Sequence, residues 1–256
     1  MTDPRIQARR VSVERERGHR RLSILLSVLA AAALSAGALA ILHTSLFGAR
    51  TIVVAGAVHT PRAEIVQVSG LEKAPPLLEV NPGTISRRLE RLPWVHNATV
   101  RVEWPSTVAI AVVERVPVAT ARLSRGGYAL LDSTGRVLAD QATRPVGLPL
   151  VALAVSSSPP GASLGTSAQP LLETAAQLPV ALVPRVREIV TGADGVVLRL
   201  SDGMRAVIGD DQALGEKFIS LATVLAKVDL AGVGSVDLRV ATAPVLTPLV
   251  SASNVQ

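Results

Sequence analysis

The chain has 256 residues, of which 48% are hydrophobic and 18% are charged, and this balance excludes an intrinsically disordered protein, which needs low hydrophobicity and high charge. The sequence contains no cysteine, so disulfide bonds, zinc–thiolate sites, iron–sulfur clusters and cysteine nucleophiles are excluded. The net charge is +6, but two Trp, two Phe and one Tyr are too few for a platform that stacks nucleic-acid bases.

Most of the positive charge lies in a basic arm at residues 1–21. The arm holds seven arginines against three acidic residues, whereas the remaining chain holds 19 basic and 17 acidic side chains. A nucleic-acid-binding domain would instead spread its basic charge over a folded face. We therefore interpret the arm as a cytoplasmic determinant of membrane topology that contacts anionic lipids, and we expect no nucleic-acid partner.

The segment Leu22–Leu42 contains only Leu, Ile, Val, Ala, Ser and Gly. As a helix it would be about 31 Å long, which matches the hydrocarbon core of a bilayer at about 30 Å. A cleaved signal peptide has a shorter apolar region, followed by a small-residue cleavage motif. The pattern therefore predicts a single-pass, type II transmembrane helix with a cytoplasmic N-terminus, in which Ala33 and Gly37 form a small-xxx-small pair for helix packing.

Residues 47–115 are predicted to form one α/β module. Thr60-Pro61 and Asn81-Pro82 each combine a capping residue with a proline, which is typical of a helix start. Strict alternation of apolar and polar residues from 97 to 104, followed by a turn and a return strand, predicts a β-hairpin. The element order is therefore strand, helix, helix, strand, strand.

Residues 116–243 are predicted to form a β-rich domain of mostly antiparallel strands with two flanking helices. Asp194-Gly195 and Asp202-Gly203 are strong hairpin signals. Apolar residues at helical spacing predict helices over about 170–178 and 212–227. Val236–Val240 is the last clear strand, and residues 244–256 are predicted to form a flexible tail.

Several short motifs in these two regions carry a family resemblance. They are Leu92–Val95, Trp104-Pro105, Val113–Ala119, the hairpin Ala129–Leu138, and Asp237-Leu238-Arg239. The module at 47–115 resembles a POTRA domain, and the chain from about 22 to 246 resembles the FtsQ/DivIB bacterial cell-division family. The resemblance implies an α+β fold: a transmembrane helix, a β-α-α-β-β POTRA domain and a β-rich second domain.

The resemblance also implies a function in the cell membrane at the division septum. FtsQ-like proteins act there as scaffolds of the divisome, and they recruit and regulate the partners that synthesise septal peptidoglycan. The implied partners are FtsB/DivIC-like and FtsL-like coiled-coil proteins, FtsW and the septal penicillin-binding protein. The resemblance further implies that the last strand and its extension bind the FtsB/DivIC-type partner.

The candidate partner-binding residues are therefore Val236, Leu238, Arg239, Val240, Ala241, Thr242, Val245 and Leu246. An edge strand offers free N–H and C=O groups to which a partner can add a strand. The alternative, that this strand only closes the sheet and the following tail frays, remains open at this stage.

The sequence offers no catalytic, cofactor-binding or metal-binding candidates, so we expect a protein that is not an enzyme and has no small-molecule substrate. The four histidines lack metal-ligand spacing, and we interpret Gly209-Asp210-Asp211 as a helix cap rather than a carboxylate pair. Two alternative functions each require a further feature. A POTRA-containing secretion or outer-membrane assembly factor would need a barrel with aromatic girdles, and a membrane-anchored cell-wall hydrolase would need a catalytic set.

Overall fold

The computed structural model describes residues 24–37, 39–40, 47–155 and 159–249. Residues 24–37 and 39–40 are helical and exposed; the other residues of the predicted span Leu22–Leu42, and the basic arm, lie outside the described residues. Within the described ranges, no helix has both the length and the apolarity needed to cross a membrane. Contacts divide the chain into two compact units. The first unit consists of Met1–Ala55, Pro61–Arg87 and Thr99–Ala111. The second unit consists of Gly56–Thr60, Arg88–Ala98 and Val112–Gln256.

The first sheet has three strands in the described residues, in the order β1-β3-β2, with β1 and β3 parallel. The chain order is strand, helix, helix, strand, strand, as predicted: β1 Thr51–Ala55, α1 Arg62–Ser69, α2 Pro82–Leu89, β2 Val95–Glu103 and β3 Thr107–Glu114. The predicted cap of α2 is confirmed, because Asn81 Oδ1 accepts the Thr84 N–H at 3.0 Å. Gly70 ends α1 with a φ of 75°, a conformation that favours glycine.

The second sheet has nine strands in the described residues, in the order β12-β11-β10-β9-β8-β7-β4-β5-β6. Five of its eight strand pairs are antiparallel, and three are parallel. The strands are β4 Pro117–Leu123, β5 Tyr128–Asp132, β6 Val137–Gln141, β7 Leu150–Val155, β8 Val186–Gly192, β9 Gly195–Leu200, β10 Arg205–Gly209, β11 Val233–Asp237 and β12 Val245–Pro248. Both predicted Asp-Gly hairpins are present, joining β8 to β9 and β9 to β10.

Two helices pack against the second sheet, α3 Gln169–Gln177 and α4 Leu214–Lys227. Their apolar stripes, which include Leu171 and Phe218, join one hydrophobic cluster with strand residues such as Ile189 and Leu198. All four of these side chains are almost completely buried. Burial of a large aliphatic or aromatic side chain contributes about 1.5–3 kcal/mol, so this cluster is a major source of the unit's stability.

The last part of the chain differs from the sequence prediction. The strand predicted at Val236–Val240 ends at Asp237, and residues predicted as tail form the strand β12. The Asp237 carboxylate accepts the backbone N–H of Arg239 at 3.0 Å, and such a local bond competes with continued strand pairing. The alternating pattern of apolar residues did not reveal this turn. Residues 250–256 of the predicted tail lie outside the described part of the chain.

The two Asp-Gly hairpins allow a matched test of how closely β9 and β10 approach each other. Gly195 and Gly203 have similar φ values of +98° and +93°, but a Cβ on Gly195 would lie 2.2 Å from the Gly209 carbonyl oxygen, whereas one on Gly203 meets nothing within 4 Å. We expect Gly195→Ala to lower the free energy of unfolding by about 1–3 kcal/mol more than Gly203→Ala, which is the usual cost of overpacking. If urea denaturation shows that both variants lose the same free energy of unfolding, the close approach of Gly195 to the Gly209 carbonyl is contradicted.

Candidate partner-binding edge

Strand β12 is the outer strand of the second sheet and pairs only with β11 among the described residues. All four of its residues are exposed. The opposite outer strand, β6, is partly covered, because Val137 exchanges backbone hydrogen bonds with Gly161 and Ala162 at 2.7 and 2.8 Å. Within the described part of the chain, the sheet therefore has one partly covered edge, β6, and one open edge, β12.

The backbone direction of β12 follows from its pairing. The Leu249 N–H donates to the Gly232 carbonyl at 2.7 Å, so this group points toward β11. Peptide groups alternate in direction along an antiparallel strand, which places the N–H and C=O of Leu246 on the free side. Pro248, the next outward position, has no N–H. Leu246 is thus the residue of β12 that can both donate to and accept from an added strand.

The turn between β11 and β12 is held by Arg239. Its guanidinium donates to both Asp237 carboxylate oxygens, at 2.6–3.1 Å, and to Asp194 Oδ1 at 3.4 Å. The hydrogen bonds from Arg239 hold the pKa of Asp237 below its ordinary value. Ion pairs this exposed contribute little to stability, so we assign Arg239 the role of orienting the turn that leads into β12.

The structure places the predicted binding residues in three environments. Val236 and Leu238 are fully buried at 0% exposure and offer no surface to a partner. Arg239, Val240 and Thr242 are exposed in the turn, and Ala241 is half-buried. Val245 and Leu246 lie on the open strand, with 58% and 38% of their surface exposed.

Two further edge residues were missed by the sequence reasoning, Thr247 and Leu249. Thr247 pairs with Ser235 of β11, and the Leu249 side chain is 63% exposed. The sequence feature that indicates this strand is the pair of β-branched residues Val245 and Thr247, two positions apart as on one face of a strand. A stretch of four residues is too short for this pattern to distinguish a strand from a tail. The predicted membrane-packing pair, Ala33 and Gly37, lies on the described helical segment and is exposed.

A second polar cluster surrounds Glu114, a residue of the motif Val113–Ala119. Its carboxylate accepts the backbone N–H groups of three consecutive residues, Val58, His59 and Thr60, at 2.9–3.0 Å. The His59 Nδ1 lies 2.8 Å from Oε2 and must donate, because an ionised carboxylate only accepts. The His59 ring also stacks on Trp94, with centroids 4.0 Å apart and planes 8° apart.

The hydrogen bonds change the acidity of Glu114. Burial alone would raise the pKa of this carboxyl, but the bonds from the His59 ring and from the three backbone N–H groups outweigh it and lower the pKa from 4.5 to about 2. The carboxylate therefore stays ionised at neutral pH and is a fixed acceptor. This makes Glu114 a structural clamp on the loop at residues 58–60 rather than a general acid.

The next residue of the motif, Arg115, has a comparable role. Its Nη1 donates to Asp132 Oδ2 at 2.7 Å and its Nε donates to the Val95 carbonyl at 3.1 Å. Asp132 also accepts the backbone N–H groups of Thr134 and Arg136 at 2.8–2.9 Å, which shapes the β5–β6 turn. Burial raises the pKa of Asp132, but the bonds from Arg115, Thr134 and Arg136 lower it overall.

Within Gly209-Asp210-Asp211 the Asp210 carboxylate has a structural role, but the predicted helix cap is wrong. The N-cap residue of α4 is Ala213, in a left-handed conformation with no side-chain capping bond. Asp210 instead accepts Lys217 Nζ at 2.6 Å on its carboxylate and at 3.1 Å on its carbonyl. Lys217 is only 2% exposed, so this pair neutralises a buried ammonium and requires no catalytic explanation.

Comparison with known proteins assigns both regions. Residues 47–115 match the model of the POTRA domain, FtsQ-type, and residues 119–239 match that of the cell division protein FtsQ/DivIB, C-terminal domain. The fold and the two matches together define the class: a POTRA domain followed by a β-rich domain, in an α+β arrangement. This agrees with the two-domain, α+β part of the fold class expected from the sequence, whereas the transmembrane helix stays a prediction.

Several curated relatives are named cell division protein FtsQ. The protein from Mycolicibacterium smegmatis is 31% identical over 78% of this chain and 57% of its own length. That from Mycobacterium bovis is 30% identical over 86% and 73%, and that from Streptomyces bingchenggensis is 27% identical over 89% and 87%. The chain thus spans little more than half of the Mycolicibacterium relative.

The chain belongs to the FtsQ/DivIB family of cell-division proteins. This membership is what the sequence motifs implied. Among solved structures, the major extracytoplasmic domain of the trans isomer of DivIB from Geobacillus stearothermophilus aligns with 45% of this chain and 98% of that domain, at 21% identity and a TM-score of 0.29.

The Glu114 clamp predicts a specific loss of stability. Because the native pKa of about 2 lies below the ordinary value of 4.5, the stabilisation by Glu114 is present above about pH 4.5 and is lost as the pH falls toward 2. We expect Glu114→Gln to lower the free energy of unfolding at pH 7 by about 1.5–3 kcal/mol, the usual worth of hydrogen bonds to a charged group, and to flatten the acid limb of the stability curve.

The matched control for this variant is Glu103→Gln. Glu103 is an exposed glutamate at the end of β2. Its replacement should leave the free energy of unfolding within about 0.5 kcal/mol of the wild-type value, both at pH 7 and at each acid pH. Urea denaturation at a series of pH values measures both quantities. Equal stabilities of the two variants would show that the Glu114 carboxylate does not clamp the loop.

Proposed function

We propose that this protein is a non-catalytic scaffold of the bacterial divisome that recruits and regulates the partners of septal peptidoglycan synthesis. Its family membership supports a role in cell division, and the open β12 edge is the observation that carries the scaffold mechanism. The N-terminal helix would anchor the chain in the cell membrane with the basic arm in the cytoplasm. The two sheets would then lie on the extracytoplasmic side, concentrated at the division septum.

The proposed binding step is the addition of a strand to β12. A partner segment would accept the outward N–H of Leu246 and donate to its C=O, so the sheet would gain a tenth strand. The exposed side chains of Val245 and Leu249 would add apolar contacts that select the partner's sequence. Arg239, Val240, Ala241 and Thr242 in the preceding turn would contact the same partner beside the strand.

We propose an FtsB/DivIC-like coiled-coil protein as the partner that adds this strand, as the family resemblance implies. FtsL-like proteins, FtsW and the septal penicillin-binding protein would join the same assembly. Membrane anchoring of all partners would raise their effective concentration at the edge, so that a short strand contact suffices for binding. Val236 and Leu238 are omitted from the binding surface because both are buried.

The division function is tested in dividing cells. We expect a fluorescent fusion of the full chain to concentrate at midcell, and its depletion to produce filaments that fail to complete septa. Uniform fluorescence along the cell envelope, with normal division after depletion, would contradict the proposed function.

The strand-addition step is tested by Leu246→Pro, with Leu246→Ala as the matched control. Proline removes the outward N–H without removing a bond to β11, whereas alanine keeps the N–H and removes only the side chain. We expect the proline variant to lose co-purification with the FtsB/DivIC-like partner, and the alanine variant to retain most of it. Thermal unfolding confirms that both variants are folded. Normal partner binding by a folded Leu246→Pro variant would exclude β12 as the edge used.

A further inference from the structure

The second unit contains an apolar cleft of about 610 Å³ between two loops. One wall is the loop at residues 144–148, before β7, and the other is the segment at 180–187, which leads into β8. The buried Val186 of this segment and Ser201, the residue after β9, also line the cleft. The volume falls in the range of about 300–1,000 Å³ that is typical of ligand-binding clefts.

The wall formed by the segment at 180–187 is fixed by its own hydrogen bonds. The segment forms a 3₁₀ turn at Val183–Arg185, with a bond from the Leu182 N–H to the Pro179 carbonyl at 2.8 Å. The Ser201 hydroxyl donates to the Pro184 and Arg185 carbonyls at 3.1 and 2.9 Å. This wall therefore does not need an occupant to hold its shape.

The loop wall is anchored at its end. The Pro149 carbonyl, next to this loop, accepts two hydrogen bonds from Thr120, one from the backbone N–H at 2.9 Å and one from the side-chain hydroxyl at 3.2 Å. Prolines also restrict the backbone, at Pro145 in this loop and Pro184 in the opposite wall. A cleft that is formed in advance loses less conformational entropy when it binds a ligand.

The exposed side chains of the cleft are valines and arginines. Val146 and Val180, one on each wall, are 101% and 81% exposed, so each presents its apolar surface to solvent. The lining also contains Arg144 and Arg187 and no acidic residue. Arg144 makes one long bond to the Leu148 carbonyl at 3.4 Å, and Arg187 has no hydrogen-bond or ion-pair partner among the described residues.

We propose that this cleft binds an extended segment of a partner protein in which carboxylate side chains alternate with aliphatic ones. The carboxylates would pair with Arg144 and Arg187, whose charges are not neutralised by the lining, and bidentate arginine–carboxylate pairs are strong and directional. The aliphatic side chains would cover Val146 and Val180. Arginine is one of the residue types that most often dominate binding energy at interfaces.

This site is separate from the edge described above. Strand β8 lies four strand spacings from β12 in the sheet order, which corresponds to about 19 Å. One scaffold could therefore hold two partner segments at once, one added to β12 and one seated in the cleft. The proposal does not depend on which partner uses the edge.

The test is a selection of short random peptides displayed on phage, with the full chain as the target. We expect the selected peptides to be rich in Asp or Glu beside Leu, Ile or Val, and a fluorescent synthetic copy to bind saturably. Arg187→Glu and Val180→Asp should each weaken that binding about tenfold or more, because each introduces a negative charge against the peptide. Both side chains are exposed, so both variants should fold.

The matched control is Arg122→Glu, an exposed arginine on β4 outside the cleft. This variant should bind the peptide with an affinity within about twofold of the wild-type value, because dissolved salt screens the charge of a distant exposed residue. Leu246→Pro should also leave it unchanged, which separates this site from the β12 edge. The proposal is overturned if selection yields no acidic–aliphatic peptides, if Arg187→Glu leaves their affinity unchanged, or if the cleft substitutions instead reduce binding to phosphatidylglycerol vesicles.

Discussion

An open β-sheet must end in a strand whose outward N–H and C=O groups have no partner within the sheet, and proteins usually protect such an edge. In this chain the β6 edge is protected by bonds to residues 161 and 162, whereas β12 is not protected in the same way among the described residues. The protection of β12 is limited to Pro248, which lacks the N–H at one outward position. The proposed function of the protein depends on this asymmetry between the two edges.

The existence of the open edge depends on how β11 enters the sheet. β10 and β11 are parallel, so the chain must cross over between them, and α4 makes that crossover. Phe218 and Leu221 of α4 are buried in the core of the unit, and Lys217 ties the start of the helix to Asp210. The Asp237–Arg239 turn then reverses the chain, and β12 is left as the last strand. The docking surface thus rests on core packing and on one local turn.

The family motif at Val113–Ala119 has a structural explanation that involves no chemistry of catalysis. Glu114 is the last residue of β3 and Arg115 follows it directly, and the two side chains bind different backbone segments. Glu114 gathers the N–H groups of residues 58–60, and Arg115 reaches Asp132 and the Val95 carbonyl. Charged residues that are committed to backbone partners in this way are unavailable as acids, bases or nucleophiles.

The sequence by itself determined the local elements: the order strand, helix, helix, strand, strand, the cap at Asn81, both Asp-Gly hairpins and the two helices of the second unit. Each of these depends on residues close together in the chain. Only the tertiary structure decided that Val236 and Leu238 are buried, that β12 forms from an apparent tail, and that Val146 and Val180 share a cleft. These features depend on strand pairing and on contacts between distant segments, and such long-range pairing leaves no periodic signal in a stretch of four or five residues.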